Sequence, residues 1–164
     1  MPMRPEEQLN DLTRYTVVPR TLIFLTRGDR VLLLRGAPDK KLWANRYNGL
    51  GGHIEAGEDP WHAALREVQE EAGITPSKLE LKGIIHVTRP EPPGVMLFVF
   101  TGAAPDDTPI ASEEGQVEWI SLEALTTLPI VEDLPVLLAQ VLSAQTVVFG
   151  RYQITSAGLE MHFN

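Results

Sequence analysis

Apolar and polar positions alternate in two distinct periods along the chain. Residues 20 to 35 read as two short apolar runs, Thr-Leu-Ile-Phe-Leu-Thr and Val-Leu-Leu-Leu, separated by Arg-Gly-Asp-Arg, which predicts two strands joined by a tight turn around Gly28 and Asp29. The Arg-Gly-Asp triplet is explained by that turn and needs no adhesion role. A polar loop over residues 36 to 45 leads to Arg46–Ile54, a short glycine-studded strand where the backbone bends or something approaches closely. Then the period changes to 3.6. Asp59 suits an N-cap, Pro60 the first helical position and Gly73 the position after the end, which predicts a helix from Pro60 to Ala72.

Beyond that helix, Leu79–Thr88 and Val95–Thr101 are strand-like, with Arg89–Gly94 between them. Residues 103 to 115 form a polar loop and Gln116–Ile120 a further short strand. Ser121 is placed to cap a brief helix through Leu125. Leu134–Ala144 reads as a second longer helix, with Leu134, Leu137, Leu138, Val141 and Leu142 on one side. Two strands, Val147–Tyr152 and Leu159–Phe163, close the chain around a turn at residues 156 to 158. Residues 1 to 14 show no periodicity and are expected to be a flexible start, leaving 15–164 as a single domain. Strands and helices mix without regular βαβ alternation, so the expected fold class is α/β, a sandwich built on a mixed β-sheet.

The first helix carries the chemistry. At 100° per residue Glu67, Glu70 and Glu71 share an arc of about 100°, opposite a stripe of Trp61, Ala64, Leu65, Val68 and Ala72. Three carboxylates so close repel one another unless a cation sits among them, and clustered hard oxygens suit Mg²⁺, with Mn²⁺ the second candidate. Composition sharpens this. With 22 acidic against 14 basic residues the net charge is −8, which argues against binding a nucleic acid polymer and against unaided phosphate binding. A phosphate-handling site must then work through bound metal and a few placed bases, of which Lys40 and Lys41 in the polar loop are candidates; a merely solvated loop is the alternative. There is no cysteine, no signal-like leader and no apolar run of about 18 residues, so the expectation is a soluble cytoplasmic protein with no membrane contact. His53 and His62 lack metal-ligand partners at helical spacing and read as packing or surface residues. Trp43 and Tyr47 either stack on a base or, more commonly for such residues, pack in a core.

Residues 52 to 74 also match a known pattern at every specified position: Gly52, Glu58, Arg66-Glu67-Val68, Glu70-Glu71 and Gly73-Ile74, at the spacing of the Nudix signature. Such a match arises by chance on the order of once in a billion start points. The chain thus resembles the Nudix hydrolases. That resemblance implies a mixed sheet between helices, divalent-metal-dependent attack of water on a phosphoanhydride, and a nucleotide substrate. It also implies metal ligation by Glu67, Glu70, Glu71 and the carbonyl of Gly51, ion pairing of the glutamates by Arg66, and support of the loop by Glu58.

The run Asn48-Gly49-Leu50-Gly51-Gly52 is similar to the strand of the family branch that includes MutT and the hydrolases of oxidised purine nucleoside triphosphates, with leucine for an aromatic. In that branch the asparagine hydrogen-bonds the purine, which makes Asn48 the candidate base reader; a turn-forming asparagine is the alternative. Glu114, with Glu113 as fallback, resembles a further metal-binding or general-base glutamate, against a solvated loop charge. Glu132 and Asp133 stand where the branch reads the base, without its tryptophan; otherwise they are a feature of a helix N-terminus. The implied activity is hydrolysis of a nucleoside triphosphate to monophosphate and pyrophosphate, with purines and 8-oxo-dGTP foremost. A dinucleoside polyphosphate, a nucleoside diphosphate or a nucleotide sugar is the alternative substrate, and a non-catalytic nucleotide sensor the alternative class. A monomer or a homodimer fits equally.

Overall fold

The computed structural model describes Arg4, residues 13–105, Pro109 and residues 111–164. Of the flexible start expected over residues 1 to 14, all but Arg4, Thr13 and Arg14 lie outside the described residues. The elements in chain order are β1 (Val17–Arg27), β2 (Arg30–Gly36), β3 (Tyr47–Asn48), α1 (Pro60–Ala72), β4 (Lys78–Thr88), β5 (Gly94–Ala103), β6 (Gly115–Ser121), a 3₁₀ turn over Leu122–Thr127, α2 (Leu134–Ser143), β7 (Val148–Thr155) and β8 (Gly158–Phe163).

All eight strands join one sheet in the order β3-β2-β1-β5-β4-β7-β8, with β6 also paired to β2. The β1–β5 and β4–β7 pairs are parallel and the others antiparallel, so the sheet is mixed as the sequence pattern predicts. Consecutive apolar residues in β1 are buried on both faces, Leu22 and Phe24 toward α2, Ile23 and Leu25 toward α1. Beneath α1, Ala64, Val68 and Ala72 pack on Ile23, Leu25, Leu32, Leu50 and Phe100. On the other face Leu134, Leu137, Leu138 and Val141 of α2 pack on Leu22, Phe24, Leu33, Ile85 and Tyr152. Each fully buried aliphatic side chain contributes about 1.5–3 kcal/mol of transfer free energy, so both helices are fixed by burial far more than by helix propensity.

One departure from regular pairing positions the site. β1 and β2 meet only beside their turn, at Thr26↔Val31 and Arg27↔Arg30. Beyond it β2 turns away to pair with β6 along its whole length, and residues 50–53 fill the opening, bridging Ile23↔Leu50 and Arg20↔His53. The glycine-rich segment predicted as a strand over 46–54 is therefore a strand only at Tyr47–Asn48; the rest is a wedge held by β1.

Local expectations fail where packing decides. Trp61, expected in the apolar stripe of α1, is 44% exposed, and Leu142 of α2 is 38% exposed. Ser121 precedes the 3₁₀ turn without capping it through its side chain. Tyr47 is buried in the core, whereas Trp43 lies exposed in its loop. No helix among the described residues is long and apolar enough to cross a membrane.

Candidate active site

Helix α1 begins where Asp59 accepts hydrogen bonds from the N–H groups of Trp61 and His62, and it ends at Gly73, whose φ of 66° and N–H bond to the Gln69 carbonyl stop it. The His62 ring meets the Asp59 carboxylate at 2.6 Å, a local contact that accounts for this histidine. Between those caps the helix faces the glycine wedge. At Gly51 φ is 145° and an added Cβ would lie 2.2 Å from the Thr21 carbonyl oxygen; at Gly52 it would lie 2.4 Å from Glu67 Oε1. Only glycine permits both the backbone path and the close approach of a carboxylate.

The three helix carboxylates are not equivalent. Glu71 is 5% exposed and accepts a 2.8 Å hydrogen bond from the Gly51 N–H. Burial pushes its carboxyl up to about 8, the charges of Glu67 and Glu114 push the same way, and the Gly51 N–H and Lys40 oppose them. Burial also raises Glu67, against the pull of Arg66. Glu70, by contrast, is turned outward onto Arg66 at 3.1 Å with most of its side chain exposed.

Arg66 organises this face. Its Nε and one terminal nitrogen clasp Glu58 at 2.6 and 3.0 Å, and the same terminal nitrogen reaches the His53 carbonyl at 3.0 Å. The other terminal nitrogen donates to Glu67 at 2.9 Å and to Glu70 at 3.1 Å. Those bonds use the full complement of five guanidinium donors, so Arg66 as it stands has none to offer a ligand and acts on the site through the carboxylates it holds. Glu58 in turn accepts from the Glu55 N–H, and its carboxyl is held below the usual range first by Arg66.

From outside α1, Glu114 precedes β6 and is ion-paired with Lys40, whose ammonium is held charged chiefly by that bond. The pair lies close enough to Glu71 to shift it. Lys41 and Glu113 stay exposed and Asn48 half-buried. The Asn48 side-chain oxygen accepts from the Gly49 N–H at 2.8 Å, the local bond of a turn-forming asparagine. Asn48 lies opposite Leu34 on the α1 face of β3, while Tyr47 points to the α2 face and donates to Glu118 at 2.7 Å. Backbone bonds from Tyr47 N–H to the Pro129 carbonyl and from Val131 N–H to the Tyr47 carbonyl lay β3 against the segment that leads to Asp133.

Glu132 is exposed, and Asp133 is half-buried at the start of α2 without capping it. Burial raises the Asp133 carboxyl, and burial with the charge of Asp133 raises the Tyr152 phenol. The Tyr152 hydroxyl faces Asp133, out of line for a well-formed hydrogen bond. The sequence reading missed this partner of Asp133, as it missed that of Tyr47. Neither leaves a local signal, since Tyr152 lies a strand beyond the helix and Glu118 in a different strand from Tyr47.

Hard carboxylate oxygens with too little positive charge around Glu71 fit a divalent cation in donor type. Among the described residues, however, no three carboxyl or imidazole groups stand arranged as a finished metal cage. Glu70 and Glu67 are engaged by Arg66, and Glu114 by Lys40.

Comparison with known proteins agrees with this geometry. The NUDIX domain family matches residues 16–141. The chain is 35% identical over 112 residues to the NAD-capped RNA hydrolase NudC of Pseudomonas aeruginosa, covering 68% of this chain and 38% of that protein. It is 32% identical over 106 residues to the oxidized purine nucleoside triphosphate hydrolase of Mus musculus, covering 64% of this chain and 67% of the relative. Among solved structures, the MutT protein of Bacillus halodurans superposes with a TM-score of 0.77 at 26% identity, over 90% of this chain and 98% of that one. With its intact signature on α1, its mixed sheet and a family match over most of its length, the chain belongs to the Nudix family.

Proposed function

We propose that this chain is a divalent-metal-dependent nucleoside triphosphate pyrophosphohydrolase, releasing a nucleoside monophosphate and pyrophosphate, with oxidised purine nucleotides such as 8-oxo-dGTP the first substrates to test. The observation that carries the reading is the buried Glu71, hydrogen-bonded to Gly51 and surrounded by Glu67 and Glu114, an acidic centre short of cations on a Nudix helix. Nudix hydrolases generally use divalent cations, and Mg²⁺ is the ion proposed here. Glu67, Glu70, Glu71, Glu114 and the Gly51 carbonyl are the residues that would hold it. When bound there, such a cation would supply charge neutralisation for the transferring phosphoryl group and the leaving oxygen.

This chain's own groups do the rest. Arg66 keeps Glu67 and Glu70 oriented, Glu58 keeps Arg66 in place, and Glu114 or a helix glutamate accepts the proton of the attacking water. Lys40, ion-paired with Glu114, and the exposed Lys41 are the cations proposed to meet substrate phosphates. Asp133, backed by the buried Tyr152 hydroxyl, is the group proposed to meet a purine edge, and β3 brings Asn48 next to that segment. The whole site is proposed to act within one domain over residues 15–164, on a cytoplasmic nucleotide pool.

A second reading has specific support. The NudC relatives act, by name, on NAD-capped RNA, and a worm relative at 35% identity over 77 residues is a bis(5'-nucleosyl)-tetraphosphatase. Dinucleotides joined through phosphoanhydrides, from the diphosphate of an NAD cap to a tetraphosphate, are therefore the alternative substrates. A panel of canonical and oxidised nucleoside triphosphates, NADH, dinucleoside polyphosphates and nucleotide sugars, each with Mg²⁺ or Mn²⁺ and with products resolved, decides. Highest kcat/KM on an oxidised purine triphosphate supports the first reading. Preference for a dinucleotide supports the second, and binding without turnover of any of them supports a sensor.

A further inference from the structure

Strand β8 forms the edge of the sheet farthest from the glycine wedge. The opposite end is occupied: β3 is covered by residues 129–131, and β6 lies on β2. On the outer side of β8 no pairing occurs among the described residues. An open strand edge is a template for another strand.

Its geometry fixes which register a second strand takes. The Asn164 N–H donates to the Phe149 carbonyl, so antiparallel alternation makes His162↔Arg151, Glu160↔Gln153 and Gly158↔Thr155 the pairs bonded to β7. The N–H and C=O groups of Leu159, Met161 and Phe163 then point outward. Two such edges pair antiparallel only where outward groups face each other. Centring the two-fold on Met161 matches all three, placing Leu159 against Phe163 of a second copy and Met161 against its counterpart, with about six hydrogen bonds. Centring on Glu160 or His162 loses one pair and sets like residues opposite each other.

Charge selects the same register. Glu160 and His162 lie on the sheet face that α1 leaves uncovered, where Phe149 is 55% exposed. Within one protomer His162 lies across from Arg151, another base, and Glu160 across from the neutral Gln153. The Met161-centred two-fold puts Glu160 of each copy opposite His162 of the other, and gives Glu160 and His162 each a complementary neighbour across the edge. On the α2 face Leu159, Met161 and Phe163 already pack against the core and would continue it across the junction.

We propose that the protein forms a two-fold dimer through antiparallel β8–β8 pairing centred on Met161, making one continuous sheet across both copies. A six-residue strand is a small interface, so the dimer is concentration-dependent, with a dissociation constant in the micromolar range. The glycine wedge and the acidic face of α1 lie toward the other end of each sheet, whereas Tyr152 of β7, beside Asp133, is the cross-strand partner of Met161.

Sedimentation equilibrium of the full chain across the micromolar range tests this. The expected result is a monomer–dimer equilibrium. Met161→Pro removes an outward N–H while sparing the β7 ladder, and it should weaken dimerisation at least about 100-fold. Glu160→Lys should weaken it about tenfold, and combining Glu160→His with His162→Glu should restore it by exchanging the charges. Circular dichroism and the melting temperature of each variant, taken at a concentration where the wild type is monomeric, show whether the fold is kept. Should Met161→Pro misfold, the charge variants carry the test. A chain that stays monomeric throughout overturns the proposal, as does a dimer indifferent to Glu160→Lys.

Discussion

Two carboxylates are withdrawn from water on opposite faces of this sheet, and they are withdrawn differently. Glu71, under α1, has a backbone N–H from Gly51 and two more acids for company. Asp133, at the start of α2, has a phenol and one exposed acid, Glu132. Burial raises both, but the surroundings point to different guests. An acid among acids is relieved by a metal ion; an acid beside a hydroxyl is relieved by a proton or by a ligand that donates hydrogen bonds. Under the proposed function, one face meets charge and the other the pattern of donors and acceptors on a neutral ring.

The sharpest way to break that contrast is to neutralise each acid in turn. Glu71→Gln should lower kcat about 1000-fold or more with Mg²⁺ while the far-UV spectrum is unchanged; near-normal turnover would remove Glu71 from the metal site. Next in size is Arg66→Ala, which leaves Glu58, Glu67 and Glu70 without their shared cation. It should cost about 1–2 kcal/mol in urea unfolding of the metal-free protein, part of which added Mg²⁺ should restore. Equal losses with and without Mg²⁺ would show that the arginine serves packing alone.

Asp133→Asn on the other face, and Asn48→Ala on the α1 face of β3, should each alter the ratio of kcat/KM between guanine and adenine nucleotides by about tenfold, with smaller changes on the preferred base's kcat. A uniform loss on every base would take both residues out of base reading. The smallest effect concerns pH. Because the folded Asp133 carboxyl is raised from 3.8, the native state keeps a proton that the unfolded chain releases, so stability falls as pH climbs through the interval above 3.8. Asp133→Asn lacks that decline. The stability difference between variant and wild type should grow in the variant's favour as pH rises above about 4, and a flat difference would mean that the surroundings of Asp133 do not raise its carboxyl.

What could be read beforehand follows the same division. Helix α1 is legible residue for residue because Asp59, Pro60 and Gly73 act on their own neighbours. The hairpin of β1 and β2, and the mixed sheet, follow from apolar runs and turn residues close in sequence. The opening of β1 from β2 is not legible, because it depends on β6 taking over a strand some eighty residues earlier. Trp61 and Leu142 continue the apolar stripes of their helices, yet both remain partly exposed, which the helical period alone does not show. At the site the signature places the glutamates on one helix, but their inequality, Glu71 buried and Glu70 outside, arises from the depth of the glycine wedge. The pairing of Lys40 with Glu114 and the approach of Tyr152 to Asp133 are products of the tertiary fold alone.

The two backbone hydrogen bonds that tie Tyr47 to residues 129–131 also bear on how such a protein can change over generations. They couple Asn48 to the stretch before α2, yet neither bond uses a side chain. Insertions, deletions or replacements between the 3₁₀ turn and Asp133 can therefore reshape what the far face accepts while leaving the Gly51–Glu71 contact untouched. On the proposed function, the groups that carry the reaction and those that meet the base are joined at a strand two residues long.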